Sequence, residues 1–73
     1  MINYYLNKNS QSNGDHEIHK ESCYFYNMYK NGFNFELLGA FSNDISALEY
    51  AKRKYPYCKI DGCAYCCKFI HHH

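Results

Sequence analysis

The chain has 73 residues, with eight basic and seven acidic side chains and a formal net charge of +1. This length forms one small domain, residues 1–73, and excludes a multidomain machine, a large catalytic cleft and a nucleotide-binding fold. Four Leu, five Ile, five Phe and no Val stand beside nine Tyr, so the composition predicts a thin, aromatic core that needs a further staple.

The N-terminal half predicts two short strands joined by a polar loop. Residues 2–6 form a β-prone run, and residues 7–15 carry turn formers that include Asn13-Gly14. His16-Glu17-Ile18-His19 then predicts a short strand or turn that returns along the first strand. The Tyr-rich segment 23–30 fits no single class.

The C-terminal half predicts one strand and one helix. Residues 35–41 read as a strand at the centre of the sheet, and Asn31-Gly32 before them as a turn. A helix over about 43–54 begins with Ser42 as its cap and ends before Pro56. Its core face is predicted from four residues that recur at helical spacing: Ile45, Leu48, Ala51 and Tyr55. Glu49, Lys52 and Arg53 should face water.

The predicted fold is α+β, with a small antiparallel sheet of two or three strands packed on one helix. A metal site would staple the start of this domain to its end. Asp61-Gly62 is predicted to form a tight turn just before the last cysteines, with glycine supplying a backbone turn that other residues resist.

Two short motifs supply the predicted metal ligands. Cys63-x-x-Cys66 has the spacing by which a turn directs two sulfurs at one tetrahedral ion, and amides of that turn can point at the thiolates. His19-x-x-x-Cys23 supplies two more donors. Together they form the ligand set of a closed structural zinc site, so Zn²⁺ is the expected cofactor.

Three further side chains near these motifs remain open as substitutes. Cys67 adjoins Cys66, but only one of the two should face the ion, and the spacing selects Cys66. Cys58 is interpreted as a packing residue. His16 is interpreted as a surface residue or one that orients a ligand, because its spacing to His19 is one short of the metalloprotease motif.

Two alternatives to a metal site stay open at this stage. The five cysteines could be free thiols that pack as small apolar side chains. Cys63-x-x-Cys66 could instead be a redox dithiol, although the flanking sequence lacks the βαβ pattern of thioredoxin-like sites. An odd number of cysteines cannot all pair within the chain, so a complete disulfide framework is excluded.

These residues also carry a resemblance that covers nearly the whole chain. The runs 5–9, 11–19 and 38–41, together with Cys23 and Asp61-Gly62-Cys63-x-x-Cys66-Cys67, resemble a small uncharacterised bacterial family. Ile70 and His71 stand where that family has a Cys-His pair. The resemblance implies no activity.

A looser similarity in layout is to the zinc-binding module of the bacterial adaptive-response DNA repair protein. The matching positions are His19, Cys23, Phe41, Ala47, Cys63 and Cys66. That module accepts a methyl group on its first Cys. Because this chain has His19 at that position, the likeness implies a fold and not the methyl-transfer chemistry.

The expected function is a non-enzymatic, zinc-stabilised binding or adaptor module with an unknown protein partner. One alternative is a thiol redox or metal-sensing protein that uses the C-x-x-C-C motif. Another is a weak nucleic-acid-binding module that uses exposed Tyr rings and Lys52-Arg53-Lys54. A homodimer through a strand edge is a further expectation.

The location of the protein is expected to be the cytoplasm. No apolar stretch reaches the roughly 18 residues of a membrane span, and the N-terminus does not read as a signal peptide. His71-His72-His73 is interpreted as a passive tail or a tag remnant.

Overall fold

Four strands build a single mixed sheet in this computed structural model, which describes residues 1–12, 14–32 and 34–71. The strands are β1 (Ile2–Asn7), β2 (Asp15–Lys20), β3 (Phe35–Phe41) and β4 (Lys59–Gly62). Helix α1 (Tyr24–Tyr29) follows β2, helix α2 (Asp44–Lys54) follows β3, and a 3₁₀ turn, Lys68–Ile70, follows β4. The α+β class and a helix packed on the sheet are thus confirmed.

The sheet is larger than predicted, and its order is β3-β1-β2-β4. β1 pairs antiparallel with both β2 and β3, whereas β4 pairs parallel with β2. The expectation of two or three antiparallel strands missed β4, since Lys59-Ile60-Asp61-Gly62 is short and has no β-branched run. Asp61-Gly62 ends this strand and does not form the predicted turn. β3 lies at an edge and not at the centre.

A bulge on β3 adjusts the sheet beside β1. Tyr4 pairs with Gly39 and Tyr5 pairs with Leu37, so Leu38 is the extra residue on β3. Gly39 has a φ of +135°, which a residue with a side chain rarely adopts. The bulge places Leu38 in the core, where it is 6% exposed.

The sheet carries a helix on each face. Neighbouring residues of a strand point to opposite faces. The Tyr4 hydroxyl donates to Asp44 Oδ1 of α2 at 2.6 Å, while the Tyr5 ring stacks on Tyr26 of α1 with centroids 4.3 Å apart. The α2 face therefore holds the main core, and the α1 face is the second layer. In the described ranges, no helix is both long and apolar enough to cross a bilayer.

The core is mostly aliphatic, which corrects the expectation of an aromatic one. Its buried members are Tyr4, Leu6, Ile18, Leu38, Ala47, Ala51, Ile60, Cys67 and Ile70. Several rings are instead exposed, among them Tyr24, Tyr57, Tyr65 and Phe69. Small residues on α2 let the helix lie close to the sheet, so few large side chains fill the interior.

The core face of α2 differs from the prediction at one position. Ile45 is 57% exposed, and Ala47 is fully buried instead. Leu48 and Tyr55 pack against the core, and Ala51 is within it. Glu49, Lys52 and Arg53 are exposed as predicted.

The cap of α2 and two predicted turns can also be compared with the structure. The cap is Asn43, whose side chain accepts from the Ser46 amide at 2.9 Å, and not Ser42. Gly14 has a φ of +90°, while its predicted turn partner Asn13 lies outside the described residues. Gly32 lies in a turn, with its amide donating to the Tyr29 carbonyl.

Candidate metal centre

The parallel pairing of β2 and β4 brings the first two candidate ligands together. Ile18 pairs with Gly62, and the Cys63 amide donates to the Ile18 carbonyl at 3.0 Å. The carboxyl ends of parallel strands lie at the same edge of a sheet. His19 on β2 and Cys63 just after β4 are consequently neighbours at that edge.

Cys23 reaches the same edge from the turn that follows β2. Its amide donates to the Lys20 carbonyl at 3.0 Å, and it is the N-cap residue of α1. The Asn27 side chain donates to the carbonyls of Glu21 and Cys23, each at 2.9 Å. Asn27 thereby fixes the turn that carries Cys23.

Cys66 is delivered by a turn over residues 63–67. The Cys67 amide donates to the Cys63 carbonyl at 2.8 Å, and the Lys20 amide donates to Cys66 Sγ at 3.3 Å. Bonds with the backbone of Cys66 and Tyr65 act to lower the pKa of the Cys63 thiol. Such bonds stabilise a thiolate, so the turn favours the ligand form of cysteine.

Gly62 is required by close packing and not by a special backbone angle. A Cβ at this position would lie 2.3 Å from Ile70 Cγ1 and 2.8 Å from the Cys67 carbonyl oxygen. Only Gly14 and Gly39 have positive φ among the described residues. The predicted role of Gly62 is therefore corrected: the missing side chain lets the segment after the cysteines fold back onto β4.

The four donor side chains converge to the dimensions of one ion site. Donor atoms of His19, Cys23, Cys63 and Cys66 all lie within 4.8 Å of one another. Cys23 Sγ is 3.6 Å from His19 Nδ1 and 4.0 Å from Cys63 Sγ. A tetrahedral ion with bonds of about 2.0–2.3 Å needs donor separations of roughly 3.3–3.8 Å. The widest separation has to shorten by about 1.0–1.5 Å for the four donors to close on an ion of that size.

Without a bound ion, burial and the neighbouring thiols oppose ionisation of the Cys63 and Cys66 thiols. The hydrogen bond with Cys66, together with burial, raises the pKa of Cys63 to about 12. For Cys66, the bond with Cys63 lowers the pKa, but the bond with Cys67 and burial raise it more. All five cysteines are free. The site is thus a compact set of buried thiols suited to deprotonation by a bound cation.

A carboxylate orients the histidine. Glu17 Oε1 lies 3.4 Å from His19 Nε2, while Nδ1 faces the sulfurs. Burial raises the pKa of Glu17, and a hydrogen bond with Gln11 opposes that effect. A histidine ligand usually donates its other ring N–H to such a partner. His16 does not take this role, because its Nδ1 lies 3.0 Å from the Asn7 carbonyl oxygen.

The remaining cysteines and the tail occupy other places. Cys67 is fully buried in the core, and Cys58, predicted to pack, is exposed. His71 is not a passive tail residue: its Nδ1 lies 2.9 Å from the Gly62 carbonyl oxygen and 3.3 Å from Asp61 Oδ2. His72 and His73 lie outside the described residues.

Three residues of the site escaped the sequence analysis. Glu17 was visible only as part of a motif that was set aside, although its position two before His19 puts both on one face of a strand. Asn27 lies in the segment that fitted no class. Gly62 was noted, but the contact with Ile70 that requires it joins elements that no sequence spacing relates.

Comparison of the chain with protein-family models, with curated proteins and with solved structures finds no match, so its function is inferred from the geometry of the site.

Proposed function

We propose that this protein is a non-enzymatic binding module stabilised by one zinc ion that His19, Cys23, Cys63 and Cys66 hold. The observation that carries the proposal is the convergence of these donors, within 4.8 Å, from three segments of the chain. Because the unfolded chain does not preform such a site, the free energy of binding the ion adds to the stability of the fold. At a free zinc concentration a thousand times Kd, the gain is about 4 kcal/mol.

The donor set favours zinc in a structural role. Three thiolates and one imidazole are typical of closed tetrahedral zinc sites, whereas catalytic sites keep one position for water or substrate. The three thiolates carry one more negative charge than the zinc ion carries positive charges, and the imidazole is neutral, so the loaded centre has a formal charge of −1. His19, Cys23 and Cys63 are at most 4% exposed and Cys66 is half-buried, so most of the centre is shielded from solvent.

The redox alternative receives less support from the thiols themselves. Reactive cysteines are partly exposed and have a lowered pKa. Here Cys63 is buried and Cys66 is partly exposed, but the pKa of each is raised. Cys58, the exposed cysteine, has no sulfur partner at hydrogen-bonding distance in the described contacts. We propose the cytoplasm as the location of this protein, since cysteine thiols remain reduced there as a rule.

The nucleic-acid alternative is disfavoured by the layout of the two helices. Lys52, Arg53 and Lys54 end α2, and the exposed Tyr57 follows them, but the exposed rings of Tyr24 and Phe25 lie on α1. The two helices lie on opposite faces of the sheet. A strand of nucleic acid would need both cations and rings on one continuous surface.

The test is the zinc content of freshly purified full-length protein, measured by native mass spectrometry under reducing conditions. We expect one zinc per chain in the wild type and in Cys58→Ser, the matched control at an exposed position. Cys63→Ser should lose that zinc and melt at a lower temperature. Any zinc that the C-terminal histidines hold remains in Cys63→Ser, so the difference between the variants reports the site.

Two outcomes would refute the proposal. One is wild-type protein with five intact thiols and no bound metal. The other is an unchanged thermal melt after a chelator has demonstrably removed the zinc, which would mean that the aliphatic core suffices without the ion.

A further inference from the structure

A concave surface beside the metal centre is not needed to hold the ion. This aromatic cleft has a volume of about 650 Å³ and is walled by the side chains of Phe25, Tyr29, Phe35 and Tyr65. Glu17, His19 and Cys63 also line it. Volumes of roughly 300–1,000 Å³ are typical of ligand sites.

The rings at the rim are exposed although they are large and apolar. Phe25 is 39% exposed, Tyr29 43% and Tyr65 63%. Phe25 and Tyr65 stand at 85° with ring centroids 5.4 Å apart, so they form two adjacent perpendicular walls. Contiguous exposed apolar surface of this kind marks sites of interaction.

The charge inside the cleft is negative. The Glu17 side chain lines the cleft, is only 17% exposed, and has its Oε1 3.4 Å from His19 Nε2. No lysine or arginine is among the described residues that line the cleft. The zinc-loaded centre adds a formal charge of −1 at His19 and Cys63.

We propose that the aromatic cleft binds an arginine side chain presented by a partner protein. A guanidinium stacks on aromatic rings more readily than an ammonium does, and its apolar stem packs between them. Its charge complements Glu17 and the loaded centre. This inference rests on the proposed function for the charge of the centre.

The exposed surface extends past the cleft, which favours a protein partner over a free small molecule. Tyr24 is 56% exposed and Met28 50% exposed on the same helix as Phe25 and Tyr29, and neither lines the cleft. No residue of α1 is buried. A small cation would leave this rim uncovered, whereas residues beside the arginine of a partner would pack on it.

The experiment compares two blocked tripeptides by NMR titration of the zinc-loaded full chain. Acetyl-Leu-Arg-Leu-amide carries the cation, and acetyl-Leu-citrulline-Leu-amide is its neutral isostere. We expect the arginine peptide to bind at least about tenfold more tightly, with shifts at Tyr29 and Tyr65. Ethylguanidinium alone should bind at least about tenfold more weakly than the arginine peptide.

Three variants locate the effect. Glu17→Gln should reduce the preference for arginine over citrulline, and its zinc content is measured in parallel because Glu17 contacts His19. Tyr29→Leu should weaken binding of the arginine peptide about fivefold. Tyr57→Leu is the matched control, since Tyr57 is 99% exposed and does not line the cleft, and it should bind as the wild type does.

Equal affinity for the arginine and citrulline peptides would overturn the proposal, as would equal affinity for ethylguanidinium and the peptide. A zinc-loaded chain that binds neither peptide refutes this inference and leaves the zinc-stabilised fold intact. A purified chain without zinc refutes the proposed function in a separate measurement.

Discussion

Replacement of Gly62 by alanine tests how the cysteine turn is fastened to the sheet. The added Cβ would meet Ile70 Cγ1 at 2.3 Å and the Cys67 carbonyl oxygen at 2.8 Å. The isoleucine side chain can rotate away, but the carbonyl belongs to the backbone, so the segment 67–70 has to move off β4. Forcing a methyl group into a packed site costs about 1–3 kcal/mol. Alanine also restricts the unfolded chain, which offsets about 0.4–1 kcal/mol of that cost.

The net loss for Gly62→Ala is therefore about 0–2.6 kcal/mol, with a midpoint of about 1.3 kcal/mol. For a domain of this size, each kcal/mol lowers Tm by roughly 4–8 °C. The assay is thermal and urea unfolding followed by circular dichroism, at one fixed free zinc concentration because the ion itself raises Tm.

Gly32→Ala is the control for the stability that is gained because alanine restricts the unfolded chain. A Cβ at Gly32 would lie 3.8 Å from the Tyr29 carbonyl oxygen, which is ordinary van der Waals contact. We expect this variant to match or slightly exceed the wild type in stability. If Gly62→Ala proves as stable as Gly32→Ala, the close packing of the segment 67–70 on β4 is wrong.

Two further predictions concern the core and the surface of the sheet. Cys67→Ser should lower the free energy of unfolding by about 1–3 kcal/mol, because it buries a hydroxyl in an apolar site. Cys58→Ser, at an exposed position, should change that free energy by less than about 0.5 kcal/mol. Both are measured by urea unfolding. Hydrogen bonds from Lys54, Tyr55 and Lys8 hold the pKa of Glu36 at about 2. The stability that the ionised Glu36 side chain contributes is therefore present above pH ~4.5 and is lost as the pH falls toward 2. Glu36→Gln should thus be less stable than the wild type by about 1 kcal/mol at pH 6, and the two urea curves should converge near pH 2; a difference that stays constant with pH would contradict this.

The sequence predicted the parts of the fold that depend on local patterns. The β-prone run at the N-terminus, the return of residues 16–19 along it and the helix before Pro56 all reflect spacing and turn chemistry within a few residues. The prediction that Ile45 is buried was wrong because helical spacing alone cannot tell which of two adjacent faces of the helix packs on the sheet. The small side chain of Ala47 lets α2 approach the sheet more closely, so the face that carries Ala47 packs against it.

The candidate ligands were accessible to prediction because metal donors have few residue types and short spacings. His19-x-x-x-Cys23 and Cys63-x-x-Cys66 each join donors within one turn. What pairs the two motifs is the parallel alignment of β2 with β4, which no local pattern in Lys59-Ile60-Asp61-Gly62 reveals. The convergence of the site is a property of the topology, and only the structure contains it.

The parallel strand also has a consequence for the order in which the chain folds. β1 and β2 are joined by a short loop, so their hairpin can form early. β4 pairs with β2 only after the long segment 21–58 has closed into a loop, which costs more chain entropy. His19 and Cys23 belong to the early part, and Cys63 and Cys66 to the late part. In the folded protein, β4 should be the first strand to detach. Amide exchange at Ile60 and Cys63 should then quicken when zinc is withdrawn, while the amides between β1 and β2 remain protected.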